Sequence, residues 1–163
     1  MKNIILVRHA KSDWNSGASS DFERPLNERG EKDAPKMAKR FKEKGAAPEI
    51  FISSPAKRAI ATCKVFAKEM KYPEENIQQE LLLYSGNTSD WLDIISEISD
   101  DINSAVVFGH NPVISHLVSV LLGQNIGDMP TCAVASIQLD LKSWKNINDR
   151  NENKILFIDY PKK

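Results

Sequence analysis

Four side chains suited to phosphate chemistry follow three short apolar runs of the sequence: Arg8, His9, Arg58 and His110. The apolar runs are 4–7, 50–52 and 105–108. A guanidinium group matches the oxygens of a phosphoryl group with two parallel hydrogen bonds. A histidine with the usual pKa of about 6.5 is mostly neutral at pH 7, so a ring nitrogen can attack phosphorus. These residue types favour phosphate binding beside a nucleophilic histidine.

The three apolar runs have the length of buried strands, and a helical pattern follows each of them. The first helix is predicted over 27–44, with Asn27 as its cap, and Pro35 implies either a kink or a later start. Further helices are predicted after Ser53-Ser54-Pro55, after Thr88 or Ser89, and after Asn111-Pro112. A weak strand is expected near 77–82. This alternation predicts an α/β layer structure with a mainly parallel sheet.

The last part of the chain has a different pattern. Apolar and polar residues alternate over 135–142, which predicts a half-exposed strand. A polar turn over 146–153 and a strand over 154–160 follow, and we expect the two strands to pair in antiparallel orientation.

Parallel strands joined by right-handed crossovers place their carboxyl ends at one edge of the sheet, where ligands bind. The long polar segment 10–26 is expected to bring Arg24 to this edge, and Gly109 to let the backbone approach a ligand. Each residue alone is compatible with an ordinary surface group, and His116 is expected to be structural. The coincidence of three strand ends with the same chemistry predicts a phosphate site.

Composition restricts the other classes of function. The chain has 163 residues, enough for a single domain over 1–163, and 22 basic residues balance 22 acidic ones. Zero net charge excludes a general basic field for nucleic acid or an anionic membrane, and no apolar run approaches the roughly 20 residues that span a bilayer. Cys63 and Cys132 fit no metal spacing, so we expect free thiols in a cytoplasmic protein. The sequence contains no GxxxxGK[ST] loop and no cysteine phosphatase loop.

Three segments resemble the three signatures of the histidine phosphatase superfamily, in order and spacing: LVRHA at 6–10, SSPAKRAIAT at 53–62 and GHNP at 109–112. The short length and the stretch DFERPLNERG at 21–30 resemble the short phosphohistidine phosphatase branch of the SixA type. The resemblance implies the phosphoglycerate mutase-like fold. This fold is a three-layer α/β/α sandwich around a mostly parallel sheet, with one antiparallel strand near the C-terminus.

The resemblance also implies roles for individual residues. His9 would be the nucleophile, forming a phosphohistidine that water hydrolyses. Arg8, Arg58 and His110 would form the phosphate pocket with it. Arg24 would add a further phosphate contact, and Asn111 belongs to the same substrate-binding set. The reaction would need no metal and no other cofactor, because arginines replace the cation.

The general acid is open at this point. Asp21, on the polar segment, is the preferred candidate, and Glu80 is the alternative from the region where larger members of the superfamily place a carboxylate. The competing interpretation is that Asp21 and Glu23 pair with nearby basic residues. A phosphoramidate substrate demands less from an acid than a phosphate ester.

The leading hypothesis is therefore a metal-independent phosphatase, acting as a monomer on protein phosphohistidine and binding neither nucleic acid nor membrane. A phosphatase for a small phosphorylated metabolite is the alternative within enzymes. A non-catalytic phosphoprotein-binding module is a third hypothesis. A metal-binding protein using the three histidines of the chain is the fourth: His9, His110 and His116.

Overall fold

The first apolar run of the sequence lies inside a strand near the middle of a six-stranded sheet. The computed structural model describes residues 1–149 and 152–162. The strands are β1 (Lys2–Arg8), β2 (Ile50–Ser53), β3 (Gln78–Gln79), β4 (Ser104–Gly109), β5 (Val134–Leu139) and β6 (Lys154–Asp159). Their order across the sheet is β3-β2-β4-β1-β5-β6.

Helices separate the parallel strands in the chain. They are α1 (Glu28–Glu43), α2 (Lys57–Glu69), α3 (Leu82–Ser85), α4 (Thr88–Ser96) and α5 (Val113–Leu122), with short 3-10 turns at Glu74–Asn76 and Trp144–Asn146. β1, β2, β3 and β4 run parallel, whereas β5 is antiparallel to both β1 and β6. A single strand thus runs against the others among the described residues, as the predicted fold class requires.

The sheet is covered by helices on both faces, because alternate residues of each central strand point in opposite directions. Ile4 and Leu6 of β1 pack in one core cluster with residues of α4 and α5. Ile5 and Val7 pack in a second cluster with residues of α1 and α2. The sheet and the helices packed on its two faces form the three layers of the predicted α/β/α sandwich.

Helix starts follow the predicted caps in some places and depart from them in others. The Asn27 side chain accepts a hydrogen bond from the Gly30 N–H at 2.8 Å, and α1 continues through Pro35, so the later start is wrong. The cap of α4 is Asn87 rather than Thr88 or Ser89. Helix α2 begins at Lys57 and not at the serine-proline step, with Ala56 as its N-cap and no side-chain cap.

The remaining predictions for chain segments are partly confirmed. The weak strand near 77–82 shrinks to β3, and the final strand forms as β6. The predicted turn 146–153 includes residues 150 and 151, which lie outside the described residues.

Cys63 and Cys132 are free and buried, and burial raises the pKa of both thiols. Within the described ranges, no helix is long and apolar enough to cross a membrane.

Candidate active site

The ends of β1 and β4 bring two histidines together. Arg8 pairs with Gly109 in the parallel register, and the His9 N–H donates to the Gly109 carbonyl at 3.0 Å. Each strand continues by one residue into a buried imidazole, and the ring centroids of His9 and His110 lie 5.2 Å apart. The predicted meeting of these strand ends is confirmed.

The His9 ring is held in one tautomer by the backbone. Its Nδ1 lies 2.7 Å from the carbonyl oxygen of Ala10. A carbonyl oxygen only accepts hydrogen bonds, so Nδ1 carries the proton and Nε2 keeps its lone pair. Burial, reinforced by the charges of the three site arginines, lowers the pKa of His9 to about 4 against the opposing bond to Ala10. His9 is therefore a neutral imidazole at pH 7 with Nε2 free to act as a nucleophile.

His110 is oriented by a serine that follows β2. Its Nε2 lies 2.7 Å from Oγ of Ser54, and Ser54 Oγ accepts from the N–H of Ala56 at 3.2 Å. The Ser54 hydroxyl can donate to Nε2, and a neutral ring in that arrangement carries its proton on Nδ1. Burial lowers the pKa of His110 to about 3, with smaller contributions from His9 and Arg58.

Three arginines surround the two rings, each fixed by a contact outside the pocket. Arg8 donates from Nη1 to the Met129 carbonyl at 2.9 Å. Arg58 donates from Nη1 to the Asp21 carbonyl at 2.8 Å. Arg24 hydrogen-bonds Ser12, and its buried guanidinium lies against an aromatic ring of the polar segment. The polar segment does return Arg24 to the site, as predicted.

The pocket contains buried donors without partners. Among the described residues, four side-chain nitrogens of this site are buried with no hydrogen bond: Arg8 Nε, Arg24 Nε, Arg58 Nε and His110 Nδ1. Buried polar atoms in proteins are almost always paired, and those that are not call for an explanation. A phosphoryl group supplies several acceptor oxygens, so it would satisfy donors of this kind.

The Asp21 carboxylate forms ion pairs with two of the arginines. Its Oδ1 accepts from Arg24 Nη2 at 2.8 Å, and its Oδ2 accepts from Arg58 Nη2 at 3.0 Å and from the Tyr84 hydroxyl at 2.9 Å. Arg24, Tyr84 and Arg58 hold the pKa of this carboxyl far below its usual range. The ion-pair interpretation of Asp21 is therefore confirmed. The general-acid role stays a prediction, and it would require the opposite change in pKa.

Glu80, the alternative general acid, and Asn111, the predicted substrate contact, both form hydrogen bonds within the protein. Glu80 lies beside the end of β2, its N–H donating to the Ser53 carbonyl at 3.0 Å, and its carboxylate accepts from Gln78 at 2.7 Å. The Asn111 amide donates to the Met129 carbonyl at 3.1 Å and accepts from Ser115 at 2.5 Å. Asn111 and Arg8 thus both donate to the Met129 carbonyl. The contact of Asn111 with substrate stays a prediction.

Three residues of the site were given no site role by sequence reasoning: Ser54, Thr62 and Tyr84. The Thr62 hydroxyl donates to the Arg58 carbonyl at 2.8 Å and accepts from the Ala10 N–H at 3.0 Å, joining α2 to the end of β1. Ser54 stands at a strand end, which is a signal that could have identified it. Tyr84 lies in a four-residue helix with no pattern that points to the site.

Two expectations near the third strand end, for Gly109 and for His116, can be compared with the structure. A Cβ at position 109 would overlap the Trp91 ring, so packing under the sheet edge already requires glycine there. The close approach of a ligand to Gly109 stays a prediction. His116 is structural, as expected: its Nδ1 lies 2.7 Å from the Thr88 hydroxyl. No group of three metal-ligating side chains occurs in the described part of the chain.

These observations define a class of protein: an α/β sandwich with a histidine-arginine pocket for an anion at the carboxyl ends of parallel strands. The family model of the histidine phosphatase superfamily (branch 1) matches residues 4–82. An uncharacterized chloroplastic protein of Arabidopsis thaliana is 34% identical over 152 residues, covering 88% of this chain and 69% of that protein. The chain belongs to the histidine phosphatase superfamily.

Other relatives match a shorter region or the fold. A 2,3-bisphosphoglycerate-dependent phosphoglycerate mutase of Corynebacterium kroppenstedtii is 38% identical over 66 residues, which cover 38% of this chain and 26% of the mutase. A SixA-type protein from Agrobacterium tumefaciens superposes with a TM-score of 0.82 at 22% identity, covering 98% of both chains. The protein histidine phosphatase SixA complexed with tungstate superposes with a TM-score of 0.83 at 22% identity, covering 98% of this chain and 97% of the other.

Proposed function

We propose that this protein is a metal-independent phosphatase in which His9 is the nucleophile and protein phosphohistidine is the substrate. The observation that carries the proposal is a neutral His9, with its Nε2 lone pair free, among four buried donors that lack partners. The donors would bind the equatorial oxygens of the transferring group and stabilise their charge.

In the first step, His9 Nε2 forms a bond to phosphorus and the bond from phosphorus to the leaving group breaks. The bonding electron pair leaves with that group. A phosphorylated imidazole departs as a neutral ring when its second nitrogen already carries a proton, so no protein acid is needed. This agrees with the ionised state of Asp21, whose pKa the arginines depress.

In the second step, water attacks the phosphorus of phospho-His9 and the bond to Nε2 breaks. The electron pair returns to Nε2, the hydroxyl stays on the phosphate, and the remaining proton passes to solvent. This proton replaces the one that left with the first ring, so the overall reaction consumes one water and releases inorganic phosphate.

We place this activity in the cytoplasm, which the two free buried thiols support. The monomeric state stays a prediction. A phosphatase for a small metabolite is the second candidate. It is supported by the match to phosphoglycerate mutase over 66 residues.

The test compares wild-type protein with His9→Ala on a phosphohistidine protein and on a panel of sugar and nucleotide phosphates. His116→Ala is the matched control, because His116 is exposed and bonds Thr88. We expect His9→Ala to abolish turnover with an unchanged circular dichroism spectrum, and wild-type protein to form an acid-labile, base-stable phosphoenzyme. Wild-type rates from His9→Ala would overturn the mechanism, and a preference for metabolites would favour the second candidate.

A further inference from the structure

Trp14 lies at the rim of the site on the face of an arginine. The Cζ atom of Arg24 is 3.6 Å from the Trp14 ring centroid, a close cation–π contact. Trp14 is nevertheless 73% exposed, whereas Trp91 and Trp144 are fully buried. The indole is therefore held in position by Arg24 while much of its surface remains open to a ligand.

A small cavity lies directly beside this pair. Its volume is about 260 Å³, and its lining includes Trp14, Ser20, Asp21 and Arg24. Pockets for drug-sized ligands range from about 300 to 1,000 Å³. This cavity is therefore suited to one side chain or one ring and not to a nucleotide.

Arg24 connects the cavity with the phosphate pocket. Its Nε is one of the buried donors without a partner, and its Nη2 contacts Asp21, which bridges to Arg58. The edge of a guanidinium donates hydrogen bonds and its faces stack, so one group can serve both functions. The guanidinium that faces Trp14 thus also belongs to the charged groups around His9.

We propose that Trp14 and the adjoining cavity form the leaving-group subsite, in which the indole stacks on a planar ring attached to the phosphoryl group. This inference rests on the proposed function and deepens it, because the imidazole of phosphohistidine is such a ring. Trp14 is then the residue that distinguishes a phosphorylated imidazole from phosphoryl donors without a ring.

The kinetic test compares wild-type, Trp14→Ala and Trp14→Phe proteins on two phosphoramidates: free phosphohistidine, which carries a ring, and phosphoramidate itself, which does not. An aromatic contact supplies up to about 1.5 kcal/mol, so Trp14→Ala should lower kcat/KM for phosphohistidine roughly tenfold. The value for phosphoramidate should remain within about twofold, and Trp14→Phe should restore most of the loss. Equal losses on both compounds would mean that Trp14 only positions Arg24, which would overturn the proposal.

A binding test separates the subsite from catalysis. The two other tryptophans are buried, so quenching of tryptophan fluorescence by the neutral molecule acrylamide reports mainly on Trp14. In His9→Ala protein, phosphohistidine should protect Trp14 from quenching, and inorganic phosphate at saturation should protect it much less. This result would support the subsite even if the protein hydrolysed no substrate. A lack of hydrolysis would contradict the proposed function and would leave the subsite untouched. Equal protection by the two ligands would overturn the subsite.

Discussion

The carboxylate of Asp21 lies 3.0 Å from Nη2 of Arg58, on a guanidinium predicted to bind the substrate phosphate. The same carboxylate accepts from Arg24 at 2.8 Å. Two of the three site arginines thus share a single internal anion in the free protein. A phosphoryl group has to share these arginines with Asp21 or displace it.

Asp21→Asn should strengthen inhibition by inorganic phosphate. The neutral amide competes less well for Arg24 and Arg58, although half-exposure of the carboxylate limits the gain to roughly threefold. The inhibition constant for phosphate is the quantity to measure. Glu23→Gln is the control, because it removes the same charge from an exposed neighbouring side chain. An unchanged or higher inhibition constant in Asp21→Asn would contradict competition by this carboxylate.

The pH dependence of the two site histidines should differ from that of free histidine. Burial keeps His9 neutral down to a pKa of about 4 and His110 down to about 3. NMR titration, with His9→Asn and His110→Asn to assign the signals, should show both rings neutral at pH 5. Because the unfolded chain binds these protons near pH 6.5, stability should fall as pH falls from 6.5 towards 4. A midpoint near 6.5 for either ring would refute its neutral state in the site.

Ser54→Ala should impair catalysis through His110. The change leaves a buried Nε2 without its partner at 2.7 Å and no longer fixes the proton on Nδ1. An unpaired buried group costs about 1–3 kcal/mol of stability. Because His110 also loses its fixed orientation, we expect kcat/KM to fall roughly tenfold, about 1.4 kcal/mol in the barrier. The control is Ser53→Ala, a serine of equal burial whose hydroxyl donates to the Ser54 carbonyl. Similar activities of the two variants would argue against the orienting role of Ser54.

Gly109→Ala should destabilise the fold. The added methyl group would meet the Trp91 ring, and overpacking of this kind costs about 1–3 kcal/mol. Urea denaturation measures the loss. Trp91→Phe makes room at this position, so the double variant should lose less stability than the sum of the two single variants. If the stability losses of the two single variants simply added in the double variant, the new methyl group would not clash with Trp91.

The sequence alone was sufficient for the layers of the fold and for the main site residues. Buried strands leave short apolar runs, helices leave their own periodicity, and parallel connections force the strand ends to one edge. Arg8, His9 and His110 could therefore be assigned to one crevice without coordinates. The helix cap at Asn27 was equally readable, because capping depends on residues within one turn.

The tertiary structure alone decided which side chains meet around that crevice. Tyr84 reaches Asp21 across 63 residues, and Trp91 packs under Gly109, since strand register and helix placement set these contacts. The tautomer of His9 depends on a single carbonyl oxygen 2.7 Å away. The pKa of Asp21 is depressed by Arg24, three residues away, and by Arg58, whose approach no local pattern encodes. Local patterns determine where elements form, whereas the chemistry of the site depends on contacts between elements distant in sequence.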